Sequence, residues 1–404
     1  MSGNAWENGL KVFDAVYGKG TSAMMKGREN DRFNREIIEN QFGNLWADDA
    51  LSIREKRLMV LGATTMLGRQ DLIEIQMMGA LANDEFTEEE LALIPHFMLF
   101  YAGAGNCTAL IRGIEAAKAR FAELKGGCDT MRQLPRRPID KAAFRERYGP
   151  WAVIAGASEG TGECYARQLA AMGINLVLVS RRQGLLETLG KDLAGEYGIE
   201  YRAFFQDLTD VDAGVRIVEA SADLDVGLYI SNAGAGGFSA FLEESTDAAH
   251  HLVRMNITTL IDAANGFGKR FLKRGKGGII VMASGAGLGG QPNLVMYAAT
   301  KAFEINFAES LWAEYHERGI DVIGIAAPIM RTPTLLRIVP ADFDTSRAFD
   351  PADVTNNALA GLLAGEPVQI IPDGPGAEKL PQVEADRRER LKGFVEFNKS
   401  FTGG

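Results

Sequence analysis

Cysteine is scarce in this chain, and its scarcity excludes two classes of site. The sequence contains three cysteines, Cys107, Cys128 and Cys164, and no two of them form a C-x-x-C pair. Three isolated cysteines cannot build a disulfide framework or a four-cysteine zinc site. The sequence therefore predicts a cytoplasmic protein of a reducing compartment, without a bound metal.

Long apolar runs and an excess of basic residues are also missing. No run approaches the roughly 18 apolar residues that span a bilayer, and the first residues do not resemble a signal peptide. The 43 Lys and Arg residues are outnumbered by 53 Asp and Glu residues, which gives a net charge of −10. We therefore expect neither a membrane segment nor a nucleic-acid partner, because nucleic-acid phosphates attract clustered positive charge.

What is present is the composition of a folded globular protein, with 46% hydrophobic and 24% charged residues. Residues 1–126 predict an all-helical domain, since apolar clusters recur there with polar gaps. Thr87, with Glu90 three residues later, predicts a capped helix start. Residues 127–148 are polar and rich in arginine, and they predict a solvated linker rather than a basic binding patch.

From residue 149 to residue 404, short apolar runs alternate with segments of helix length. The runs lie at residues 152–155, 176–179, 226–230, 278–282, 322–326 and 368–371. Such alternation is typical of a parallel sheet that helices cover on both faces. The predicted fold class is α/β, with a doubly wound parallel Rossmann sheet that follows the all-α domain.

A glycine-rich turn follows the first run and precedes a helix. Gly156, Gly160 and Gly162 are spaced G-x-x-x-G-x-G in this turn. Glycines let backbone N–H groups approach a pyrophosphate, and the start of a helix favours negative charge. The turn therefore predicts a dinucleotide site, with a plain tight turn as the alternative.

Two arginines, Arg181 and Arg182, stand where the second run ends. Arginine there can accept the 2′-phosphate of NADP, so the pair favours NADP(H). Glu159 in the glycine-rich turn weakens this preference, and NAD(H) stays possible. A solvated arginine pair is the alternative.

Tyr297 and Lys301 are four residues apart, so they share one face of a helix. The phenol of a free tyrosine has a pKa of about 10, and a nearby ammonium lowers it toward the range that proton transfer needs. Ser284 follows the fourth run, thirteen residues upstream, where its hydroxyl can bind a substrate oxygen.

These residues resemble the short-chain dehydrogenase/reductase family over about residues 149–334. The resemblance rests on an ordered set: Gly156, Gly160 and Gly162, Asp207 with Leu208, Asn232 with Ala233 and Gly234, Asn256, Ser284, Tyr297, Lys301, and Pro328 with Thr332. Two departures are mild: Ala155 replaces the family's usual Thr, and Ile329 its usual Gly.

The resemblance implies a role for each residue. Tyr297 would be the general acid/base, Lys301 would bind the nicotinamide ribose, Ser284 would orient the substrate oxygen, and Asn256 would hold a water of the proton relay. The implied cofactor-binding set is Gly156, Ser158, Gly160, Gly162, Arg181, Arg182, Asp207, Leu208, Asn232, Ala233, Gly234, Tyr297, Lys301, Pro328 and Thr332.

A looser resemblance links the sequence around residues 148–151 and 297–303 to hydroxysteroid dehydrogenases and long-chain 3-oxoacyl reductases. Two largely apolar segments, residues 238–242 and 333–339, are expected to flank the substrate. We therefore expect a bulky, hydrophobic secondary alcohol or ketone, steroid-like or aromatic. Packing between subunits is the alternative interpretation of both segments.

The helical part, over about residues 31–121, resembles the carboxymuconolactone decarboxylase family, in the F-G-N-L-W stretch at 42–46 and the stretch at 101–104. Asn44, Lys56 and Gln76 stand where the decarboxylase branch has an acid, an arginine and a histidine. Asn and Gln do not titrate usefully, so this domain is expected to be non-catalytic.

Three hypotheses follow for the whole chain. The leading one is an NADP(H)-preferring reductase whose helical domain assembles a homo-oligomer or shapes a substrate entrance. The second is a bifunctional enzyme whose helical domain keeps a lactone decarboxylase-type activity. The third is a nucleotide-sensing or scaffold protein, against which the complete set of Ser284, Tyr297 and Lys301 argues.

Overall fold

The structure is a computed structural model that describes residues 3–18, 21–25, 28–126, 131–234, 236, 239–243, 245–339, 344–374 and 376–402. The chain forms two compact units. The first unit comprises Met1–Thr130 and Thr334–Asp344, and the second comprises Met131–Pro333 and Thr345–Gly404.

Before residue 127, the first unit is helical wherever the structure describes regular elements. Its helices are α1 (Gly3–Tyr17), α2 (Arg32–Glu36), α3 (Ile53–Met66), α4 (Gln70–Ala82) and α5 (Glu88–Gly126). A 3-10 turn, Thr21–Met25, follows α1, and a π-helical segment, Ile37–Trp46, continues α2. Gly103, with a φ of 77°, interrupts α5. The described regular elements of this part are therefore helices and turns.

The predicted helix start at Thr87 is a capping box. The Thr87 hydroxyl accepts a hydrogen bond from the Glu90 backbone N–H at 3.1 Å, and the Glu90 carboxylate accepts one from the Thr87 N–H at 2.9 Å. Ser52 and Glu55 form a second box at the start of α3. Each box satisfies N–H groups that the first turn of a helix leaves unpaired.

The second unit is built on one parallel sheet of seven strands. The strands are β1 (Trp151–Ala155), β2 (Asn175–Ser180), β3 (Tyr201–Phe205), β4 (Val226–Ser231), β5 (Gly277–Met282), β6 (Ile320–Ala326) and β7 (Val368–Ile370). Their order is β3-β2-β1-β4-β5-β6-β7. In register, Val153 lies between Val177 and Tyr229. Each of the six predicted runs contributes to a strand.

Sequence analysis missed β3, which lies at one edge of the sheet. Its residues, Tyr-Arg-Ala-Phe-Phe, are only half-buried or exposed. An edge strand has one neighbour and needs no continuous aliphatic run, so its pattern is weaker than that of a central strand.

Helices cover both faces of the sheet, as the doubly wound prediction requires. The remaining helices along the chain are α6 (Lys141–Tyr148), α7 (Gly160–Ala170), α8 (Gln183–Tyr197), α9 (Ala213–Glu219), α10 (Thr246–Val253), α11 (Thr259–Arg274), α12 (Val295–Tyr315), α13 (Pro333–Ile338), α14 (Pro351–Leu363) and α15 (Leu380–Thr402). Within the described ranges, none is both long and apolar enough to cross a membrane.

Alternate strand residues pack into two separate cores. Ile154 and Leu178 share one core with residues of α6, α7, α8 and α14. Val153 and Val177, on the opposite face, share the other core with residues of α9, α11 and α12. This alternation follows from the period of two along a strand.

The predicted solvated linker is wrong for residues 131–148, which are part of the second unit. Asp353 accepts hydrogen bonds from the Leu134 backbone N–H at 2.9 Å and from Arg136 at 2.6 Å. Tyr148 in α6 is fully buried, and its hydroxyl donates to Asp321 at 2.8 Å. The basic residues have acidic partners about two hundred positions away, which a local charge pattern cannot reveal.

Candidate active site

The site lies at the carboxyl edge of the sheet, beside the point where the strand order reverses. Strands β1 and β4 are neighbours there, and such a crevice is where open α/β sheets bind ligands. The candidate residues follow successive strands: Gly156 after β1, Arg181 after β2, Asp207 after β3, Asn232 after β4, Ser284 after β5 and Pro328 after β6. Parallel strands bring these loops to one edge.

The glycine-rich turn has the close backbone approach that sequence analysis predicts. Gly156 and Gly160 have φ values of 89° and 59°, which favour glycine. A Cβ at Gly162 would lie 2.0 Å from the Gly156 carbonyl oxygen, so a larger residue there would displace the turn. Because α7 begins at Gly160, the turn presents the positive end of a helix.

Arg182 is bound back to the glycine-rich turn. Its guanidinium donates to the Glu159 carboxylate at 2.8 Å and to the Ser158 hydroxyl at 2.9 Å. Arg181 is more exposed and lies 3.5 Å from the Asp207 carboxylate. Glu159 thus neutralises part of the positive charge that a 2′-phosphate would meet.

Asp207 and Leu208 form a rigid turn after β3. Partial burial raises the pKa of Asp207, but hydrogen bonds from Thr209 and the neighbouring Arg181 outweigh burial and lower it. The Thr209 backbone N–H and hydroxyl both donate to Asp207 at 2.8 Å. Leu208 is buried, and its carbonyl oxygen accepts from Thr259 at 2.9 Å.

The loop after β4, which holds Asn232, Ala233 and Gly234, packs against the glycine-rich turn. The Asn232 side chain donates to the Gly156 carbonyl oxygen at 2.9 Å and accepts from the Thr161 hydroxyl at 2.7 Å. A Cβ at Gly234 would lie 2.9 Å from the Lys301 ammonium. This loop therefore links the turn to the reacting end of the site.

Tyr297 and Ser284 come from adjacent elements. Ser284 follows β5, and its hydroxyl accepts from the Ala286 backbone N–H at 3.2 Å at the start of a 3-10 turn. Tyr297 lies in the first turn of α12 and is half-buried. A Cβ at Gly236 would lie 2.5 Å from Cδ2 of its ring, so glycine leaves room for the ring there.

Lys301 shares the α12 face with Tyr297, as the i, i+4 spacing predicts. Its side chain is buried, and its Nζ lies 5.8 Å from the centre of the Tyr297 ring. The ammonium donates to the Met282 carbonyl oxygen at 2.8 Å and to both oxygens of Glu304 at 2.8 and 3.1 Å. Burial lowers the pKa of Lys301, but Glu304 and Tyr297 more than compensate and raise it.

Sequence analysis missed Glu304, a buried carboxylate within the site. It follows Lys301 by three residues, and this spacing places both side chains on one face of α12. Burial raises the pKa of Glu304 to about 7, although the Lys301 ammonium opposes this shift. The signal that could have revealed Glu304 is its position among small and apolar residues of α12, such as Ile305 and Ala308, that are buried.

Asn256 lies in a π-helical segment, Arg254–Thr258, between α10 and α11. Its side chain is buried, and its amide nitrogen donates to the Thr300 hydroxyl at 3.0 Å. Among the described residues, its Oδ1 has no hydrogen-bond partner. A buried acceptor of this kind is suited to a bound water.

Pro328 and Thr332 follow β6. Pro328 is buried, and the Thr332 side chain would lie 3.2 Å from a Cβ at Gly160, so Thr332 borders the glycine-rich turn.

Of the two segments expected to flank the substrate, the second lies mostly in the first unit, which includes residues 334–344. In the other segment, Phe238 lies outside the described residues. A small pocket beside Tyr297 is lined by Ser239, Phe241, Leu252, Asn293, Leu294, Val295 and Met296.

In the described part of the first unit, one arginine is buried among polar partners. Arg57 is fully buried, and its guanidinium donates to the Glu85 carboxylate at 2.6 and 2.9 Å and to the Gln76 side chain at 2.9 Å. His96, the histidine of this part of the chain, lies in α5 and is exposed, so it is not a packed core residue. In the ranges that the structure describes, no cluster of three His, Cys, Asp or Glu residues could hold a metal ion.

The residues of the second unit fit a nicotinamide dinucleotide. The close approach at Gly162, the helix end at Gly160 and the arginines after β2 form a cradle with room and charge for phosphates. Ser284, Tyr297 and Lys301 carry a hydroxyl, a phenol and an ammonium, which are groups that acid–base chemistry can use.

Comparison with known proteins identifies the family to which this part of the chain is similar. A family model described as short chain dehydrogenase matches residues 150–341. A 7beta-hydroxysteroid dehydrogenase from Clostridium sardiniense is 33% identical over 230 residues, which are 55% of this chain and 88% of the relative. The family match does not extend to residues 1–126, where the resemblance to carboxymuconolactone decarboxylases stays a prediction.

Two solved structures are also similar. A bulky-bulky ketone specific alcohol dehydrogenase from Comamonas testosteroni is 29% identical, with a TM-score of 0.52, and the match covers 61% of this chain and 94% of that one. A short-chain dehydrogenase from Sphingobium yanoikuyae, in complex with NADPH, is 28% identical, with a TM-score of 0.54. That match covers 60% of this chain and 96% of the other.

Proposed function

Because the chain belongs to the short-chain dehydrogenase family and is an oxidoreductase, we propose that it uses NADP(H) in preference to NAD(H). Its substrate is a bulky, hydrophobic secondary alcohol or the corresponding ketone. The arginines Arg181 and Arg182 at the end of β2 support the cofactor preference. The substrates named for two relatives, a hydroxysteroid and a bulky ketone, support the substrate class.

The bound nicotinamide supplies or accepts the hydride, and side chains of this chain handle the proton. In reduction, the Tyr297 hydroxyl donates its proton to the carbonyl oxygen, and the Ser284 hydroxyl donates a hydrogen bond to the same oxygen. In oxidation, the Tyr297 phenolate takes the proton back. The Lys301 ammonium stabilises that phenolate, since a nearby cation favours the charged form. The geometry of Lys301 and Tyr297 on one helix face carries the proposal.

Proton return to Tyr297 uses a path from solvent. The Oδ1 of Asn256, which has no hydrogen-bond partner in the described part of the chain, can accept one from a water, and the amide nitrogen donates to the Thr300 hydroxyl. Asn256 thereby holds a water from which the proton returns to the phenol of Tyr297.

Parallel assays with NADPH and NADH test the proposal. Steroid and aromatic ketones are offered to the wild-type chain and to Tyr297→Phe, which retains the ring and loses the acidic proton. We expect NADPH-dependent turnover that falls by roughly 100-fold or more in the variant, while cofactor binding is retained. Turnover limited to small charged hydroxy acids, or full activity of Tyr297→Phe, would contradict the proposal.

For the first unit we propose a role in assembly rather than catalysis. Leu93, Phe97, Phe100 and Tyr101 in α5 expose between 60% and 87% of their surface. Such a group of apolar side chains marks an interaction surface. A second copy of this chain is the proposed occupant, because the carboxymuconolactone decarboxylase family, which this part resembles, forms rings of subunits.

The mass of the full-length chain in solution tests this role. Phe97→Glu and Phe100→Glu should each convert the oligomer to a smaller species in light scattering. Val211→Glu, at a 75% exposed apolar residue of the second unit outside the two substrate-flanking segments, is the matched control. Truncation is less informative, because residues 334–344 also belong to the first unit. An unchanged mass for both phenylalanine variants would contradict the assembly role.

A further inference from the structure

We propose that Glu304 is a positioning residue of the active site, which fixes the Lys301 ammonium and offsets part of the positive charge presented to Tyr297. The inference rests on the proposed function, because it assigns Tyr297 as the proton donor. It goes beyond that function by adding a buried acidic member to the group of Ser284, Tyr297 and Lys301.

The hydrogen bonds of the ammonium are the first observation. Lys301 has three N–H donors, and its three acceptors are the Met282 carbonyl oxygen and the two oxygens of Glu304. All three donors therefore have partners within the protein. Glu304 therefore fixes the direction in which the ammonium points.

The environment of the carboxylate is the second observation. The Glu304 and Lys301 side chains are 4% and 3% exposed, so water screens neither charge. The described titratable groups that act on the pair are Tyr297 from α12 and Tyr229 from β4. Burial raises the pKa of Tyr229, so this phenol adds no charge near pH 7. Glu304 is thus the group that balances the Lys301 charge.

The consequence for Tyr297 follows from electrostatics. A cation stabilises a phenolate, and an anion bound to that cation reduces the effect. An ionised Glu304 therefore leaves the phenol of Tyr297 less acidic than Lys301 alone would make it. When Glu304 takes up a proton, the ammonium acts on Tyr297 with its full charge.

The test is a pH titration of Tyr297 in the full-length protein. For the wild type and for each variant, the ultraviolet spectrum of a matched protein that also carries Tyr297→Phe is subtracted, and the difference reports the Tyr297 phenolate alone. Glu304→Gln keeps the shape and removes the charge, so we expect the midpoint to fall by about 0.5–1.5 pH units. Glu304→Asp draws the carboxylate back by one methylene group, so the Tyr297 midpoint of this variant should lie between those of the wild type and Glu304→Gln. If Glu304→Gln does not fold, the midpoint measured for Glu304→Asp decides the outcome.

Glu309→Gln is the matched control. Glu309 lies on the same helix and is paired with Arg387 at 2.7 Å, away from Lys301, so its variant should keep the wild-type midpoint. A midpoint that stays constant or rises in the Glu304 variants would overturn the proposal, as would an equal shift in Glu309→Gln.

Alcohol oxidation provides a second readout. The acidic limb of its pH–rate profile should move to lower pH in Glu304→Gln by the same amount as the midpoint. If the wild type oxidises no alcohol, the proposed function fails, while the spectral titration still decides the role of Glu304. If the wild type is active and the midpoint is unchanged, only the role of Glu304 fails.

Discussion

Replacing Arg182 with alanine tests how the chain distinguishes NADPH from NADH. The Arg182 guanidinium is held at the glycine-rich turn by Glu159 at 2.8 Å and Ser158 at 2.9 Å. It is therefore preordered at the position where the family resemblance places the 2′-phosphate. The variant removes that cation and leaves the Glu159 carboxylate facing the phosphate.

The expected size of the effect follows from these contacts. A hydrogen bond to a charged group contributes about 1.5–3 kcal/mol, which corresponds to roughly 10- to 150-fold in affinity. The Arg182 side chain is 31% exposed and already shares its charge with Glu159, so solvent and carboxylate reduce the gain. We therefore expect NADPH to bind roughly 10- to 30-fold more weakly and NADH to change by less than about threefold.

The assay is fluorescence titration of the full-length protein with each cofactor. Arg181→Ala is the control, because that side chain is 63% exposed and its contact with Asp207 is 3.5 Å long, so its effect should be smaller. Adding Glu159→Gln to Arg182→Ala should recover part of the lost NADPH affinity. An equal loss for NADPH and NADH would refute the assignment of Arg182 to the phosphate.

Two further predictions concern a buried charge and a crowded glycine. Glu85→Gln leaves the buried Arg57 guanidinium without its counter-ion and should lower the free energy of unfolding by about 3–5 kcal/mol, measured by tryptophan fluorescence in urea; an unchanged unfolding curve would contradict this. Gly236→Ala places a methyl group 2.5 Å from Cδ2 of the Tyr297 ring, so kcat should fall by roughly 10- to 100-fold while cofactor binding persists; wild-type kcat would show that the ring is not displaced.

Local patterns in the sequence predicted much of the fold and the site. The glycine-rich turn, the Thr87 capping box and the pairing of Lys301 with Tyr297 each depend on spacings of a few residues. Their geometry follows from the local backbone, and the structure has it where it was expected. Strand β3 was missed because an edge strand lacks the continuous apolar run of its neighbours.

Other features depend on partners that are distant in sequence or on burial that a pattern does not show. The Arg136 side chain meets Asp353, more than two hundred residues away, so its stretch reads as a solvated linker. Glu304 follows Lys301 closely in the sequence, but a carboxylate on a helix is ordinarily solvated, so the sequence alone gives no reason to place it in the site. Only the packing of α12 against the sheet shows that this one is buried with the ammonium.

The pairing of residues 131–148 with the sheet has a practical consequence for where the reductase part begins. The family match starts at residue 150, and a shortened chain that began there would lose Arg136 and Tyr148. Asp353, whose side chain is 3% exposed, would lose the Arg136 guanidinium, and the equally buried Asp321 would lose Tyr148 and Arg147 and keep the 3.3 Å contact with His316. Burying an unpaired carboxylate is costly, so such a fragment should fold poorly at neutral pH. The smallest fragment worth expressing starts near residue 131, ahead of the stretch that supplies those partners.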